Sequence, residues 1–224
     1  MLDYFTLTRK LQKTIDSVAE DLASGLNGRL ERGGPWKGMP KISIYRKDIP
    51  VQISFFNDGA KIPQLFTRFI LYGTNQVNSS IRIYNAGVLS RFAKRLGIRG
   101  IEIGDHEFDK LFAIKCNNTA AAKLLIDSKT RRSINTLYEN QQTTIDAMPE
   151  IADSVKGRAE DKGVAAAMKM VEVLFTPFRP TFEMDLDRKG LSLAMFGLLN
   201  RVDKAQMLLD ELTTIYSDWH LSRP

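Results

Sequence analysis

Between Lys41 and Gly87 the apolar pattern takes a period of two within several short runs, and that period argues for a sheet. "KISIYRKD" and "PVQISFFN" read as two strands joined across Asp48–Pro50, and "NDG" at 57–59 reads as a turn. "LFTRFILYG" (65–73) and "SIRIYNAG" (80–87) supply two more. Val51, Ile53, Phe55, Phe69, Leu71, Ile81 and Ile83 are the inward candidates. Polar residues fill the alternate positions, so one face of an antiparallel sheet is expected to be covered and the other wet.

On both sides of this block the period changes to that of a helix. Leu11, Ile15, Val18, Leu22 and Leu26 recur at three- and four-residue steps through 3–26, with Gly25 and Gly28 at the end. "ERGGPWKGMP" (31–40) is a loop by its Gly and Pro density, and it carries Arg32, Trp36 and Lys37. "VLSRFAKRLG" (88–97) is a short helix closed by Gly97, with Arg91, Lys94 and Arg95 opposite its apolar face. "GIEIGD" and "LFAIKC" are expected as strands around a turn. Asn118 or Thr119 caps a helix through "AAAKLLI", and Asp127 or Ser128 caps the next, with Ile134, Leu137 and Tyr138 inside. Residues 140–160 lose periodicity and become polar, "KGVAAAMKMVEVLF" reads as a helix stopped by "TPFRP", and "TFEMDLDRKGLSLAMFGLL" reads as a hairpin across Arg188–Gly190. The chain closes on a helix of about 202–218, with Ala205, Leu208, Leu212, Ile215 and Trp219 as its stripe. The expected class is α+β: a mostly antiparallel sheet with helices packed on one face and long N- and C-terminal helices. With 224 residues the chain is expected to form a single domain over 1–224, with a polar connector or insertion near 140–160.

Composition narrows the chemistry. The single cysteine, Cys116, excludes an internal disulfide framework and a multi-cysteine zinc site, and points to a reducing compartment. Charges interrupt the N-terminus before an apolar run develops, and no window suggests a transmembrane helix, so a cytoplasmic address is expected. No P-loop, GxGxxG or GxSxG is present. No cofactor is called for.

The stretch "IEIGDHEFDKLFAIKCNN" (101–118) concentrates reactive letters: His106, Asp105, Glu107, Asp109 and Cys116. Neighbours in sequence fan apart on a helix and alternate on a strand, so their lone pairs do not converge on one point. The apolar positions are better ordered. Phe112, Ile114 and Cys116 fit an inward strand face, Phe108 lies one turn ahead, and Asp105 suits a cap on the bend. Asp185 and Asp187 share a face of an expected strand, which reads as a solvated face. No catalytic or metal-ligating residue is assigned.

In residues 88–137 the run Gly104, Asp105, Phe108, Asp109, Phe112, Ile114, then Asn118, Ala122, Leu124, Leu125 and Arg131 resembles a segment of an uncharacterised bacterial domain-of-unknown-function family. The hairpin and helix of 181–219 are similar in outline. The resemblance implies a fold and no known activity; some such relatives carry membrane segments.

Charge supplies the functional lead. The formal net charge is +6, and the excess lies entirely in the first half. Residues 29–99 hold 13 Lys/Arg against Glu31, Asp48 and Asp58. From Gly59 to Ile101 no acid occurs. Such a segment would attract an anionic partner: an acidic lipid surface, a nucleic acid or an acidic protein. Arg68, Arg82, Arg91, Lys94, Arg95 and Arg99 are the candidate contacts. If the strands at 65–73 and 80–84 pair, Arg68 and Arg82 share the outer face. The competing account is a solvated face neutralised from the C-terminal half by Glu183, Asp185 and Asp187. The leading expectation is therefore a non-enzymatic binding or scaffold module with a basic surface in residues 29–99. The alternatives are a small-ligand carrier, with a pocket between sheet and helices near Phe55, Phe69 and Phe112, and a hydrolase-type enzyme using His106.

Overall fold

The computed structural model describes residues 4–34, 38–57, 65–73, 79–85, 100–142 and 181–221. In chain order the elements are α1 (Tyr4–Gly25), β1 (Arg29–Glu31), β2 (Lys41–Arg46), β3 (Ile49–Asn57), β4 (Leu65–Tyr72), β5 (Ile81–Asn85), α2 (His106–Leu111), β6 (Phe112–Cys116), α3 (Thr119–Leu125), α4 (Ser128–Gln142), β7 (Phe182–Asp187), β8 (Gly190–Phe196) and α5 (Val202–Leu221). The class is mixed helix and strand. All eight strands join one antiparallel sheet in the order β1-β2-β3-β4-β8-β7-β5-β6.

The register explains why the alternation has to be kept. Leu30, Ile42, Ile53, Phe69, Leu193, Met184, Ile83 and Ile114 are successive partners across all eight strands. All but the half-buried Leu30 are buried. A parallel row runs Ile44, Val51, Leu71, Leu191, Leu186, Ile81, Cys116. These side chains form one core with Ile15, Ala19 and Leu22 of α1, Leu125 of α3, Ile134 and Leu137 of α4, and Leu208, Leu212 and Trp219 of α5. Each large side chain removed from water contributes roughly 1.5–3 kcal/mol. Helix α5 touches β2, β4 and β8 and also meets α1 and α4. The stripe read for the last helix (Ala205, Leu208, Leu212, Ile215, Trp219) is buried throughout.

Two polar side chains taken into this core find backbone partners. The Thr67 hydroxyl donates to the Gly197 carbonyl at 2.9 Å and accepts the Leu199 N–H at 3.0 Å. The Trp219 indole N–H donates to the Leu125 carbonyl at 2.6 Å and ties α5 to the end of α3.

Several expectations are corrected. The strands at 65–73 and 80–84 do not pair: the β7–β8 hairpin lies between β4 and β5. "GIEIGD" forms no strand but a single bridge, Ile101 to Ile114. The turn expected between "GIEIGD" and "LFAIKC" is the helix α2, capped by Asp105, whose carboxylate accepts the Phe108 N–H at 3.2 Å. The three-residue β1 and its pairing with β2 were not anticipated from the loop-like composition around it. The helix expected at 88–97, the one at 162–175 and the rest of the connector beyond Gln142 lie outside the described residues.

Turns and caps follow local chemistry. Lys47 and Asp48 both take left-handed conformations (φ 48° and 64°), which a two-residue type I′ hairpin turn requires. Asn118 caps α3 through the Ala121 N–H at 3.0 Å, and Asp127 caps α4 through the Thr130 N–H at 2.8 Å. Gly190 opens β8 with φ +137°, and an added Cβ there would stand 1.9 Å from the Leu71 carbonyl oxygen. Gly190→Ala therefore has to break the pairing of β4 with β8 at its first residue. A loss of about 2–3 kcal/mol is expected, read as a lower midpoint in urea. The Thr130 backbone N–H, ahead of its hydroxyl and Arg131, holds the Asp127 carboxyl below its ordinary value of 3.8. A lowered folded-state pKa gives stability that is present above the unfolded value and lost as pH falls through the folded one. Asp127→Ala should cost about 1 kcal/mol at neutral pH. The gap from the unsubstituted chain should close as thermal melts are taken progressively below the ordinary value of 3.8.

Candidate functional site

The face of the sheet opposite the core carries two charged rows. One runs Glu31, Lys41, Ser54, Arg68, Ala194, Glu183, Tyr84, Ala113; the next runs Arg29, Ser43, Gln52, Ile70, Ser192, Asp185, Arg82, Lys115. Arg68 and Arg82 thus share this face although two strands separate them. The residues between them on β8, Ala194 and Ser192, are small. Long side chains on β4 and β7 therefore stand around a low floor. The result is an open depression of about 420 Å³ lined by Arg68, Arg82, Glu183, Asp185, Ser192 and Ala194.

The two arginines differ in state. Arg82 Nε donates to Asp185 Oδ1 at 2.6 Å and lies 3.3 Å from Glu183 Oε1. The Asp185 hydrogen bond, then its charge, hold the Arg82 guanidinium above its ordinary pKa. Arg68 makes no ion pair among the described residues. Its guanidinium carbon sits 4.2 Å above the centre of the Phe56 ring. Phe56 stacks on Phe66 at 5.1 Å, and Phe66 meets Phe196 edge-on at 5.6 Å. The Phe56 ring thus supports the guanidinium from one side, and Arg68 also lines the depression.

Acids distant in sequence pair three cations of the basic segment. Besides Arg82, Arg46 bonds Asp210 at 2.6 Å and Arg32 bonds Glu20 at 2.8 Å. Glu183 and Asp185 act as neutralisers of Arg82, while Asp187 accepts the Lys189 N–H at 2.7 Å inside the hairpin turn. Lys115 lies over the Tyr84 ring at 5.6 Å. Arg91, Lys94, Arg95 and Arg99 lie outside the described residues.

Among the reactive letters of 101–118, Asp105 and Asp109 have structural tasks. Asp105 caps α2 and pairs with Arg131 Nε at 3.0 Å. Asp109 accepts the Ile103 and Gly104 N–H groups, both at 3.1 Å. His106 is exposed, and its side chain makes no hydrogen bond or ion pair among the described residues. Cys116 is a free, half-buried thiol on the inward row. Among the described residues no group of three His, Cys, Asp or Glu converges to hold a metal ion. Near the carrier reading's Phe112, space is taken by other rings: Phe108 at 4.7 Å, Tyr138 at 5.2 Å and Phe182 at 5.7 Å. No described helix is long and apolar enough to cross a membrane.

Sequence reading missed Phe56 as the seat of Arg68, and Ser192 and Ala194 as the floor. The usable signal lay in "GLSLAMF", where small residues occupy outward positions between buried Leu191, Leu193 and Met195. Comparison with protein-family models, curated proteins and solved structures finds no match.

Arg82→Gln would leave Glu183 and Asp185, two positions apart on one strand face, without their shared cation. The pair is partly exposed, so a loss of about 0.5–1 kcal/mol is expected in urea denaturation. The loss should shrink at about 1 M salt, where the repulsion between the two carboxylates is screened.

Proposed function

We propose that the protein is a non-enzymatic binding module that holds an anionic partner on the sheet face opposite its core. In this reading the chain is one domain whose helices cover a single face of the sheet, with the helices at its two ends framing that cover. The other face is left for the partner. Arg68 and Arg82 are the contacts among the described residues, and Arg91, Lys94, Arg95 and Arg99 extend the same basic segment. The observation that carries the reading is Arg68: a guanidinium seated on Phe56 at 4.2 Å, with no carboxylate of the described residues spent on it. Arg82 contributes less, because Asp185 and Glu183 already hold it. No cofactor is needed for such a role.

A fluorescently labelled single-stranded oligonucleotide and vesicles containing phosphatidylserine are the two polyanions to titrate against the full chain. Affinity for one of them should fall at least about tenfold between roughly 50 and 200 mM salt, since binding releases condensed counterions. Arg68→Ala, and separately neutralisation of Arg91, Lys94, Arg95 and Arg99, should each weaken binding several-fold and flatten the salt dependence. Binding that ignores salt and these substitutions, or no binding to either polyanion, overturns the reading.

A further inference from the structure

We propose that the depression between β4 and β7 is a site for a small zwitterion, taking its carboxylate at Arg68 and its ammonium group at Glu183 and Asp185. The two walls carry opposite charge. On β4, the Arg68 cation is unneutralised among the described residues. On β7, two carboxylates share the single Arg82 guanidinium, at 2.6 and 3.3 Å, which leaves one negative charge in excess. The depression as a whole is therefore close to neutral but strongly polarised from one wall to the other.

Register sets the span. Arg68, Ala194 and Glu183 are successive partners, so their backbones lie two strand spacings apart, about 9.6 Å. Ala194 leaves the floor between them low, and Ser192 adds a hydroxyl beside Asp185. A ligand whose two charges are held apart by a short alkyl chain can satisfy both walls at once. A small single-charge anion drawn to Arg68 meets the uncompensated charge of Glu183 and Asp185, a repulsion that a polyanion spread over the other cations of the basic segment would offset. A simple cation drawn to β7 meets Arg68. Each wall thus rejects the ligand that the other would accept, which is how a site selects for a paired charge. A volume of about 420 Å³ suits a small molecule. The site is open, so affinity should be modest. The proposal shares Arg68 with the polyanion reading and otherwise stands apart from it.

The probe is ε-aminocaproate, titrated into the full chain and followed by the backbone amide signals of Ser192 and Ala194. Caproate and hexylamine serve as the single-charge controls. The expected result is saturable movement of those two signals with a dissociation constant of about 1–10 mM, and binding of each control at least about tenfold weaker. Arg68→Ala and the double variant Glu183→Gln/Asp185→Asn should each lower affinity about tenfold, with the remaining amide spectrum showing that the sheet is intact. Caproate binding as well as ε-aminocaproate overturns the proposal and leaves the polyanion reading standing. Absence of any shift at Ser192 and Ala194 also overturns it. Movement of these signals in a protein that binds neither polyanion keeps this inference and removes the other.

Discussion

The interstrand register carries everything else in the molecule. A sheet has two faces and a side-chain period of two, so a slip of one residue in any strand would send its apolar set to water and its charges into the core. Eight strands keep one phase from Leu30 to Ile114. Gly190 shows how tightly one of these pairings is fixed. Its backbone passes so near the Leu71 carbonyl that no side chain fits, and its φ of +137° is one that L-residues rarely adopt. The same phase that turns Phe69 and Leu193 into the core turns Arg68 and Ala194, one position along, to the opposite face. The depression is in that sense a by-product of the core: its floor and walls follow from which residues the core did not take.

Strand order then decides the electrostatics. Arg68 and Arg82 lie fourteen positions apart in the sequence, within an acid-free run. Adjacent strands would have set them side by side as a purely basic patch. The β7–β8 hairpin enters between them and brings Glu183 and Asp185, which convert part of that run into ion pairs. Among the described residues, the segment's nominal excess is further reduced at Arg46 by Asp210 and at Arg32 by Glu20. What remains is an asymmetric surface, cationic where Arg68 sits on its aromatic step and anionic beyond Ala194. A partly exposed ion pair contributes little to stability, so its main effect is on what the face attracts.

The sequence was legible wherever the information is local. Alternation placed Val51, Ile53, Phe55, Phe69, Leu71, Ile81 and Ile83 on the buried side, and all seven are buried. Asp105 and Asn118 were readable as caps because a cap is a contact across three residues. Short elements were not legible. Three residues of β1 and six of α2 are too few to display a period. Strand order was the larger loss. Periodicity reports which way a side chain points and is silent on which strand lies beside which, and one partner of β4 (β8) and one of β5 (β7) come from far later in the chain. The two accounts of the basic run, open patch or neutralised face, could not be separated without that order. For Arg82 the acids prevail; for Arg68 they do not.

The polar cluster at 101–118 shows why reactive letters mislead when backbone needs are left out. A chain that leaves an edge strand's single bridge, Ile101 to Ile114, and turns at once into a helix must satisfy several orphan N–H groups within a few residues. Asp105 takes the Phe108 N–H, and Asp109 takes those of Ile103 and Gly104. Arg131, reaching from α4, bonds the Ile126 carbonyl and pairs with Asp105, which fastens the bend to the end of α3. Beneath them Phe108 and Phe112 pack at 4.7 Å and fix the corner from the apolar side. The Asp109 carboxylate is committed through both oxygens to backbone donors, one to each. Asp105 and Asp109 are consumed by the geometry of the turn, whereas on the open face Glu183 and Asp185 share one guanidinium and keep accepting capacity to spare. That difference in unspent capacity, more than the density of charged residues, separates a structural cluster from a surface able to bind.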